Sequence, residues 1–210
     1  MSTVLLGGFD PFADYRENPS WDVAQALAEQ CRTEFGGRVR FVSVRLPVAF
    51  DAGAAALAEA LIREAPAAVL LCGLHGQNPF LDFEQFGLNA GQQEKAHDPA
   101  ETPFPLGEAG PAARETTVAL PPLVRRLREA GIPARISFHA GTFLCNASYY
   151  QLLDWARSHD PPRKALFVHI PLLPDQAARH FEATREALPS MDIDRVTRGL
   201  RLAVDSLLGP

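Results

Sequence analysis

Short apolar runs and amphipathic stretches alternate along this chain. Five apolar runs have the length of β-strands, and several are rich in β-branched residues. They cover residues 3–8, 38–46, 67–72, 134–138 and 164–170. Gly73 closes the third run, and residues 80–89 form a further extended piece. This spacing predicts the strands of a central sheet.

Between these runs, apolar residues recur at helical spacing. The first such stretch opens at Pro19 and Ser20. Further helices are predicted over residues 51–64, 120–130, 145–158, 175–181 and 192–208. Asp51 is the expected N-cap of the first of these. Strands that alternate with helices predict a three-layer α/β/α sandwich around a mixed, mostly parallel sheet, with residues 1–210 as a single domain.

Residues 91–115 break this alternation. The segment is polar, has no hydrophobic period and contains four prolines. A loop of this length inside a compact domain is usually a lid, a binding segment or a disordered stretch. We therefore expect no regular structure there.

Size and charge limit the classes of protein to consider. The chain has 210 residues, of which 47% are hydrophobic, so one domain can bury a sizeable core. The net charge is -5 and no basic stripe is present, which argues against a nucleic-acid partner. No apolar run approaches the roughly 20 residues that span a bilayer, and the first residues do not resemble a secretory signal. We expect a cytoplasmic protein without a membrane partner.

The cysteines and histidines suggest neither a disulfide framework nor a metal site. Cys31, Cys72 and Cys145 are an odd and widely spaced set, which is typical of a reducing compartment. The histidines lack the spacing of metal ligands, and no C-x-x-C or H-E-x-x-H occurs. We expect no metal and no cofactor.

One cysteine and one histidine stand where an α/β fold places catalytic groups. Cys145 begins a predicted helix, and His169 ends an apolar run about 24 residues later. Side chains at strand ends and helix starts meet at the carboxyl edge of such a sheet. A thiol and an imidazole are the minimum of a cysteine nucleophile with its base, and a helix N-terminus favours the thiolate. The alternative for any single cysteine is inert packing in the core.

Four segments, in order and over nearly the whole length, resemble the pyroglutamyl peptidase I family, the pyrrolidone-carboxylate peptidases. They are Gly8-Phe9-Asp10-Pro11-Phe12 with Asn18-Pro19-Ser20; Gly73-Leu74-His75-Gly76 with Glu84-Gln85-Phe86-Gly87-Leu88-Asn89; Ala140-Gly141-Thr142-Phe143-Leu144-Cys145-Asn146; and Val168-His169-Ile170-Pro171 with Leu173-Pro174-Asp175-Gln176. The first, third and fourth segments are specific to the family, whereas the second is degraded.

The resemblance implies a cysteine exopeptidase that removes an N-terminal pyroglutamyl residue. It implies Cys145 as the nucleophile, His169 as the base and Glu84 as the carboxylate that orients the imidazole. A carboxylate on one ring nitrogen fixes the tautomer and favours the imidazolium, which in turn favours the thiolate. Backbone N–H groups near Cys145 are the expected oxyanion donors, although the sequence leaves open which of them act.

The resemblance also implies how a small, flat and uncharged ring is held. Aromatic faces with a few polar contacts suit such a ring. The residues implied for this role are Phe9, Phe12, Asn18, Phe143 and Leu144, with Asn18 holding either the loop or the lactam. The implied partner is a peptide blocked by pyroglutamate, and the implied assembly is a dimer or tetramer.

Some positions depart from the family pattern, so alternatives stay open. Gln85 stands where the family usually has arginine, Gln77 and Asn78 replace a Gly-Arg pair, and residues 94–98 replace a segment that covers the ring. These changes leave room for a thiol amidohydrolase acting on another small cyclic or acyl amide. A non-catalytic homologue that binds such a ligand is the other alternative. A nucleoside-phosphorylase-like enzyme would need a basic phosphate site, for which these loops supply little Arg or Lys.

Overall fold

The computed structural model describes residues 2–11, 17–92 and 103–209. Seven β-strands form one sheet within these residues: β1 (Ser2–Phe9), β2 (Val39–Leu46), β3 (Ala68–Leu74), β4 (Leu81–Leu88), β5 (Ala113–Glu115), β6 (Ala134–His139) and β7 (Lys164–Ile170). The spatial order is β2-β1-β3-β7-β4, and the far edge of β4 pairs with β6. The short strand β5 pairs with the end of β4.

The sheet is mixed but mostly parallel, as predicted. Strands β2, β1, β3 and β7 run parallel to one another, and β6 runs parallel to β4. The β4 strand runs antiparallel to β7 and to β5. Because β4 is reversed relative to β7, its first residues lie at the carboxyl end of β7. This arrangement brings the start of β4 to the edge where sites form in open α/β sheets.

The described part of the chain contains six helices: α1 (Pro19–Phe35), α2 (Phe50–Glu64), α3 (Leu120–Glu129), α4 (Leu144–Arg157), α5 (Pro174–Thr184) and α6 (Ile193–Leu208). Five of them cover the two faces of the sheet, whereas α5 has no buried residue. Helices α1, α3 and α6 share one apolar core with the sheet, and α2 and α4 share the other. The expected three-layer α/β/α sandwich is confirmed. Within the described residues, no helix combines the length and the apolar composition that crossing a membrane requires.

Several local predictions need correction. Ala49, rather than Asp51, is the N-cap of α2, and Asp51 lies in the first turn, where its charge suits the helix dipole. Gly73 does not close β3, because the strand continues through it to Leu74. The segment 91–115 is not wholly irregular, since it contains β5 and an antiparallel bridge between Gly91 and Phe104. Long-range pairing with β4 supplies the hydrogen bonds of β5, and no local pattern shows it.

Candidate active site

A single row of residues crosses four strands at the carboxyl end of β7. Gly73 of β3 pairs with His169 of β7, which pairs with Asp82 of β4, which pairs with Arg135 of β6. Residues directly opposite in neighbouring strands point to the same face of a sheet. The histidine predicted as the base therefore lies between a glycine on one side and a charged pair on the other.

Cys145 stands above the glycine end of this row. It is the second residue of α4, and Gly141, with a φ of 78°, turns the chain into the helix. A methyl group at Gly73 would lie 3.0 Å from Cys145 Sγ and 2.8 Å from Phe167 Cζ. Only glycine leaves room for the thiol against β3. Since Gly73 pairs with His169, the thiol comes down beside the imidazole.

His169 connects this thiol to a buried carboxylate. Its Nδ1 lies 2.7 Å from Glu84 Oε1, and both side chains are buried. With Nδ1 engaged by Glu84, Nε2 is left for the thiol. Tyr149 on α4 donates its hydroxyl hydrogen to the Glu84 carbonyl oxygen at 3.0 Å, which holds this part of β4 against the helix. The structure thus brings together all three residues predicted as the triad.

Two opposing effects act on the pKa of His169. Burial alone would lower it, because the imidazolium loses its hydration. The negative charge of Cys145 and the Glu84 carboxylate raise it by more, so the pKa of His169 lies well above its usual value. The site therefore favours a charged imidazole at His169.

Asn146 fixes the start of α4 to the end of β4. Its side chain is fully buried. It accepts from the Leu88 N–H at 2.8 Å and donates to the carbonyl oxygens of Leu88 and Ala90 at 2.9 and 2.8 Å. An amide can accept one hydrogen bond and donate two in this way, whereas a hydroxyl has only one hydrogen to donate. These bonds set the height of the neighbouring Cys145 above the sheet.

An apolar pocket opens beside the thiol, away from His169. Its described lining comprises Phe9, Asn18, Val48, Leu74, Phe143, Leu144 and Cys145. Four of the five residues predicted to hold the ring are therefore together. The fifth, Phe12, lies outside the described residues.

The parts that Phe9 and Asn18 play differ from the expectation in detail. Phe9 ends β1 and belongs to the core, where its ring packs against Phe167 at 6.2 Å between centroids. Phe9 is therefore a core residue as well as part of the pocket wall, because β1 extends one residue beyond the predicted run 3–8. Asn18 holds the loop: it donates to the Asp10 carbonyl and accepts from Ser20, capping α1.

The other two cysteines are packing residues. Cys31 and Cys72 are fully buried in the core that α1, α3 and α6 share with the sheet. Burial raises the pKa of the Cys31 thiol to about 12, and it also raises the pKa of Cys72. Among the three, Cys145 alone is partly exposed. Across the ranges 2–11, 17–92 and 103–209, no group of three His, Cys, Asp or Glu side chains is placed to hold a metal ion.

Gln85, one of the departures from the family pattern, has a hydrogen-bond partner in the structure. Gln85 donates to Glu115 Oε1 of β5 at 2.6 Å, on the exposed side of β4, so it does not reach the carboxylate of Glu84. Residues 94–98, the altered covering segment, lie outside the described residues. The contributions of Gly73, Asn146 and Asp82 to the site were not predicted from the sequence. The signal for Gly73 was the apolar Leu74 that follows it, because a glycine within an extended apolar run indicates a close approach.

A thiol, an imidazole and a carboxylate in series at the edge of an α/β sheet form the arrangement of a cysteine hydrolase. Comparison with known proteins agrees. A family model described as pyroglutamyl peptidase matches residues 2–209. This chain belongs to the pyroglutamyl peptidase family.

Individual relatives cover the chain end to end. A pyrrolidone-carboxylate peptidase of Bacillus cereus is 35% identical over 207 residues, which are 98% of this chain and 92% of the relative. The crystal structure of pyroglutamyl peptidase I from Bacillus amyloliquefaciens superposes with a TM-score of 0.84 at 29% identity, covering 99% of this chain and 97% of that one. A mutant pyrrolidone carboxyl peptidase from the hyperthermophile Pyrococcus furiosus gives a TM-score of 0.86 at 26% identity, covering 98% of each chain.

Proposed function

We propose that this member of the pyroglutamyl peptidase family is a cysteine exopeptidase that releases an N-terminal pyroglutamyl residue from peptides. The proposed nucleophile is Cys145, the proposed acid and base is His169, and Glu84 orients the imidazole. The observation that carries the proposal is the hydrogen bond between His169 and Glu84 at 2.7 Å, next to a thiol that faces an apolar pocket. We further propose that residues 1–210 act as one catalytic domain.

Acylation begins with the Cys145 thiolate. Its sulfur attacks the carbonyl carbon that joins pyroglutamate to the next residue, and a carbon–sulfur bond forms. As the carbon–nitrogen bond breaks, His169 gives its proton from Nε2 to the leaving amine. The products are the shortened peptide and a thioester on Cys145. The N–H groups of the first turn of α4, which have no partner within the helix, are the proposed donors to the carbonyl oxygen as it gains charge.

In deacylation the same histidine accepts a proton instead of donating one. Neutral His169 takes a proton from water, and the resulting hydroxide attacks the thioester carbonyl carbon. The carbon–sulfur bond breaks, free pyroglutamate leaves, and the thiolate and imidazolium pair is restored. These steps use only groups of this chain and water.

The side chains that line the pocket beside Cys145 match the apolar faces of the lactam ring of pyroglutamate. Phe9 and Phe143 supply aromatic surface, and Leu74 and Leu144 supply aliphatic surface. A charged free N-terminus would have to lose its hydration in this pocket, which costs several kcal/mol unless it is paired. The neutral lactam avoids that cost, so pyroglutamyl peptides are preferred over prolyl or glutamyl peptides. We propose that Phe12 contributes to the same wall.

The setting of the enzyme is also a proposal. The cysteine usage of the chain fits a reducing cytoplasm. Peptides blocked by pyroglutamate are the proposed partners, with no nucleic acid and no membrane involved. A homodimer or homotetramer is the proposed assembly, and size-exclusion chromatography with light scattering measures it directly.

A chromogenic pyroglutamyl amide tests the proposed activity. The wild type should release the amine, and Cys145→Ala should not. Cys31→Ala is a matched control, because that thiol is buried in the core behind the opposite face of the sheet and its loss should leave turnover in place. A prolyl amide of the same amine should be a poor substrate. Equal turnover of the two amides, or full activity of Cys145→Ala, would contradict the proposal; hydrolysis of other acyl amides in preference would favour the amidohydrolase alternative.

A further inference from the structure

The row that contains His169 continues beyond it into a second charged group. Asp82 on β4 is buried, with 2% of its side chain exposed, and it receives two hydrogen bonds from Arg135 on β6. The Arg135 Nε and Nη2 atoms lie 2.6 and 3.0 Å from the two carboxylate oxygens. Asn78 donates to the same carboxylate. The proposed catalytic steps use none of these three side chains.

This group presents its positive end to solvent. The Arg135 side chain is 46% exposed, whereas Asp82 is almost completely covered. The two bonds to Asp82 use two of the five N–H groups of the guanidinium, which leaves three donors on the fork. Arg135 also lies over the Phe80 ring at 5.1 Å, so its plane is held from a second direction. A fixed, partly exposed guanidinium is suited to binding a carboxylate.

His75 connects this group to the catalytic histidine. Its backbone N–H donates to the Ile170 carbonyl at 2.9 Å, which continues the pairing of β3 with β7 one residue beyond Leu74. Its ring packs edge to face against His169 at 5.7 Å between centroids. Its Nδ1 lies 3.7 Å from Asp82 Oδ2, and half of the side chain is exposed. His75 therefore forms a polar wall that runs from His169 to the charged group.

The order of the strands determines which end of the substrate meets this wall. The apolar pocket is built by the ends of β1 and β3, the loop after β2 and the starts of α1 and α4. The thiol stands over β3, and His169 stands on the next strand, β7. The leaving amine takes its proton from His169, so it departs on the side of β7 away from the pocket. That side holds Asp82 on β4 and Arg135 on β6.

Strand spacing sets the reach that a substrate needs. Neighbouring strands lie about 4.8 Å apart, so Arg135 starts about 10 Å beyond His169 along the row. A residue in extended conformation spans about 3.3 Å, and a glutamate side chain adds several ångströms. The first two residues after pyroglutamate can therefore bring a carboxylate to the guanidinium. Apart from the His169 imidazolium, Arg135 is the one cation among the four residues of this row.

We propose that His75, Asp82 and Arg135 form the subsite for the leaving peptide, and that Arg135 makes the enzyme prefer a carboxylate one or two residues beyond pyroglutamate. The carboxylate is either an acidic side chain or the C-terminus of a short peptide. Asp82 acts as a positioning residue, because it holds the guanidinium in place. The inference rests on the proposed function and adds a selectivity to it.

Two matched pairs of substrates test the subsite and separate the two sources of carboxylate. The first pair is pGlu-Glu-amide and pGlu-Gln-amide, which differ in the side chain. The second is pGlu-Ala-Ala as the free acid and as the amide, which differ at the C-terminus. We expect kcat/KM to be about three- to fivefold higher for the charged member of at least one pair, a size typical of exposed ion pairs. The ratio should fall toward one at 1 M salt, where the Debye length is about 3 Å.

Variants attribute the preference to Arg135. The double change Asp82→Asn with Arg135→Gln removes both charges together, so neither is left buried and alone. In this double variant, kcat/KM should be the same for the charged and the neutral member of each pair. Arg135→Lys should keep part of the preference for the charged member. Arg125→Gln, an exposed change on α3 across the sheet, should keep all of it. The ratios compare substrates within one enzyme, so a general loss of activity does not disturb them.

The outcomes separate this inference from the proposed function. Hydrolysis of all four peptides with ratios of one in the wild type would overturn the subsite and leave the peptidase activity standing. A preference that survives both 1 M salt and the double change would also overturn it. No Cys145-dependent hydrolysis of any pyroglutamyl peptide would overturn both.

Discussion

Gly73→Ala should damage the site through a single methyl group. In β3, the added Cβ would lie 3.0 Å from Cys145 Sγ and 2.8 Å from Phe167 Cζ. Ordinary van der Waals contact begins at 3.4 Å, so the sulfur must retreat by about 0.4 Å or more. The Phe167 ring is fully buried and cannot swing away. The thiol is the softer neighbour and takes most of the shift.

The expected loss follows from that displacement. A misplacement of reacting atoms by about 1 Å can cost about 10²-fold in rate. We therefore expect kcat/KM for a pyroglutamyl amide to fall by about 10- to 100-fold, mostly in kcat. Overpacking against Phe167 should lower the free energy of unfolding by about 1–3 kcal/mol. Urea unfolding measures the second effect, and the rate of iodoacetamide alkylation reports the environment of the thiol.

Gly107→Ala is the matched control. Among the described residues, its added methyl would meet the Tyr150 ring alone, at 3.9 Å, which is ordinary contact. That variant should keep kcat/KM within about twofold, as expected for a surface change of small energy. If Gly73→Ala kept full activity while folding normally, Cys145 could not stand over β3 as described, and the alignment of thiol and imidazole would be wrong.

Further predictions concern the charge of the imidazole, the anchor of α4 and the pocket. Because the pKa of His169 is raised above its ordinary value of about 6.5, the imidazolium should persist above that pH. Its contribution to stability is complete below pH 6.5 and is lost as the pH rises through the higher folded value. Glu84→Gln removes one of the groups that raise the pKa of His169. The alkaline limb in the pH dependence of iodoacetamide alkylation of Cys145 should therefore move to lower pH. A limb that does not move would exclude Glu84 as the partner of His169. His169→Ala should reduce kcat by about 10²- to 10⁴-fold, and retention of full turnover would exclude it as the base. Asn146→Ala should lower the free energy of unfolding by about 1–3 kcal/mol in urea, because buried backbone groups of β4 lose their partners, and no loss would contradict the anchor. Phe9→Ala should reduce kcat/KM for pyroglutamyl substrates, and an unchanged value would remove it from the pocket.

Local patterning was enough for the architecture of this protein. Apolar runs of strand length and helical spacing predicted the strands and helices to within a few residues, because burial of one face demands a fixed period. The motif around Cys145, with His169 and Glu84, also identified the residues that the fold brings together. The hydrophobic period and the short motifs can both be read from residues that are close together in the sequence.

The tertiary structure decided the features that depend on pairing between elements far apart in the sequence. Arg135 sits beside Asp82 only because β6 pairs with β4 in one particular register, and 53 residues separate them. β5 exists because β4 offers it hydrogen bonds, and Gly73 matters because α4 sets a sulfur atom directly above it. A local pattern records which face of an element is apolar. It does not record which element will lie against that face, and the site depends on that choice.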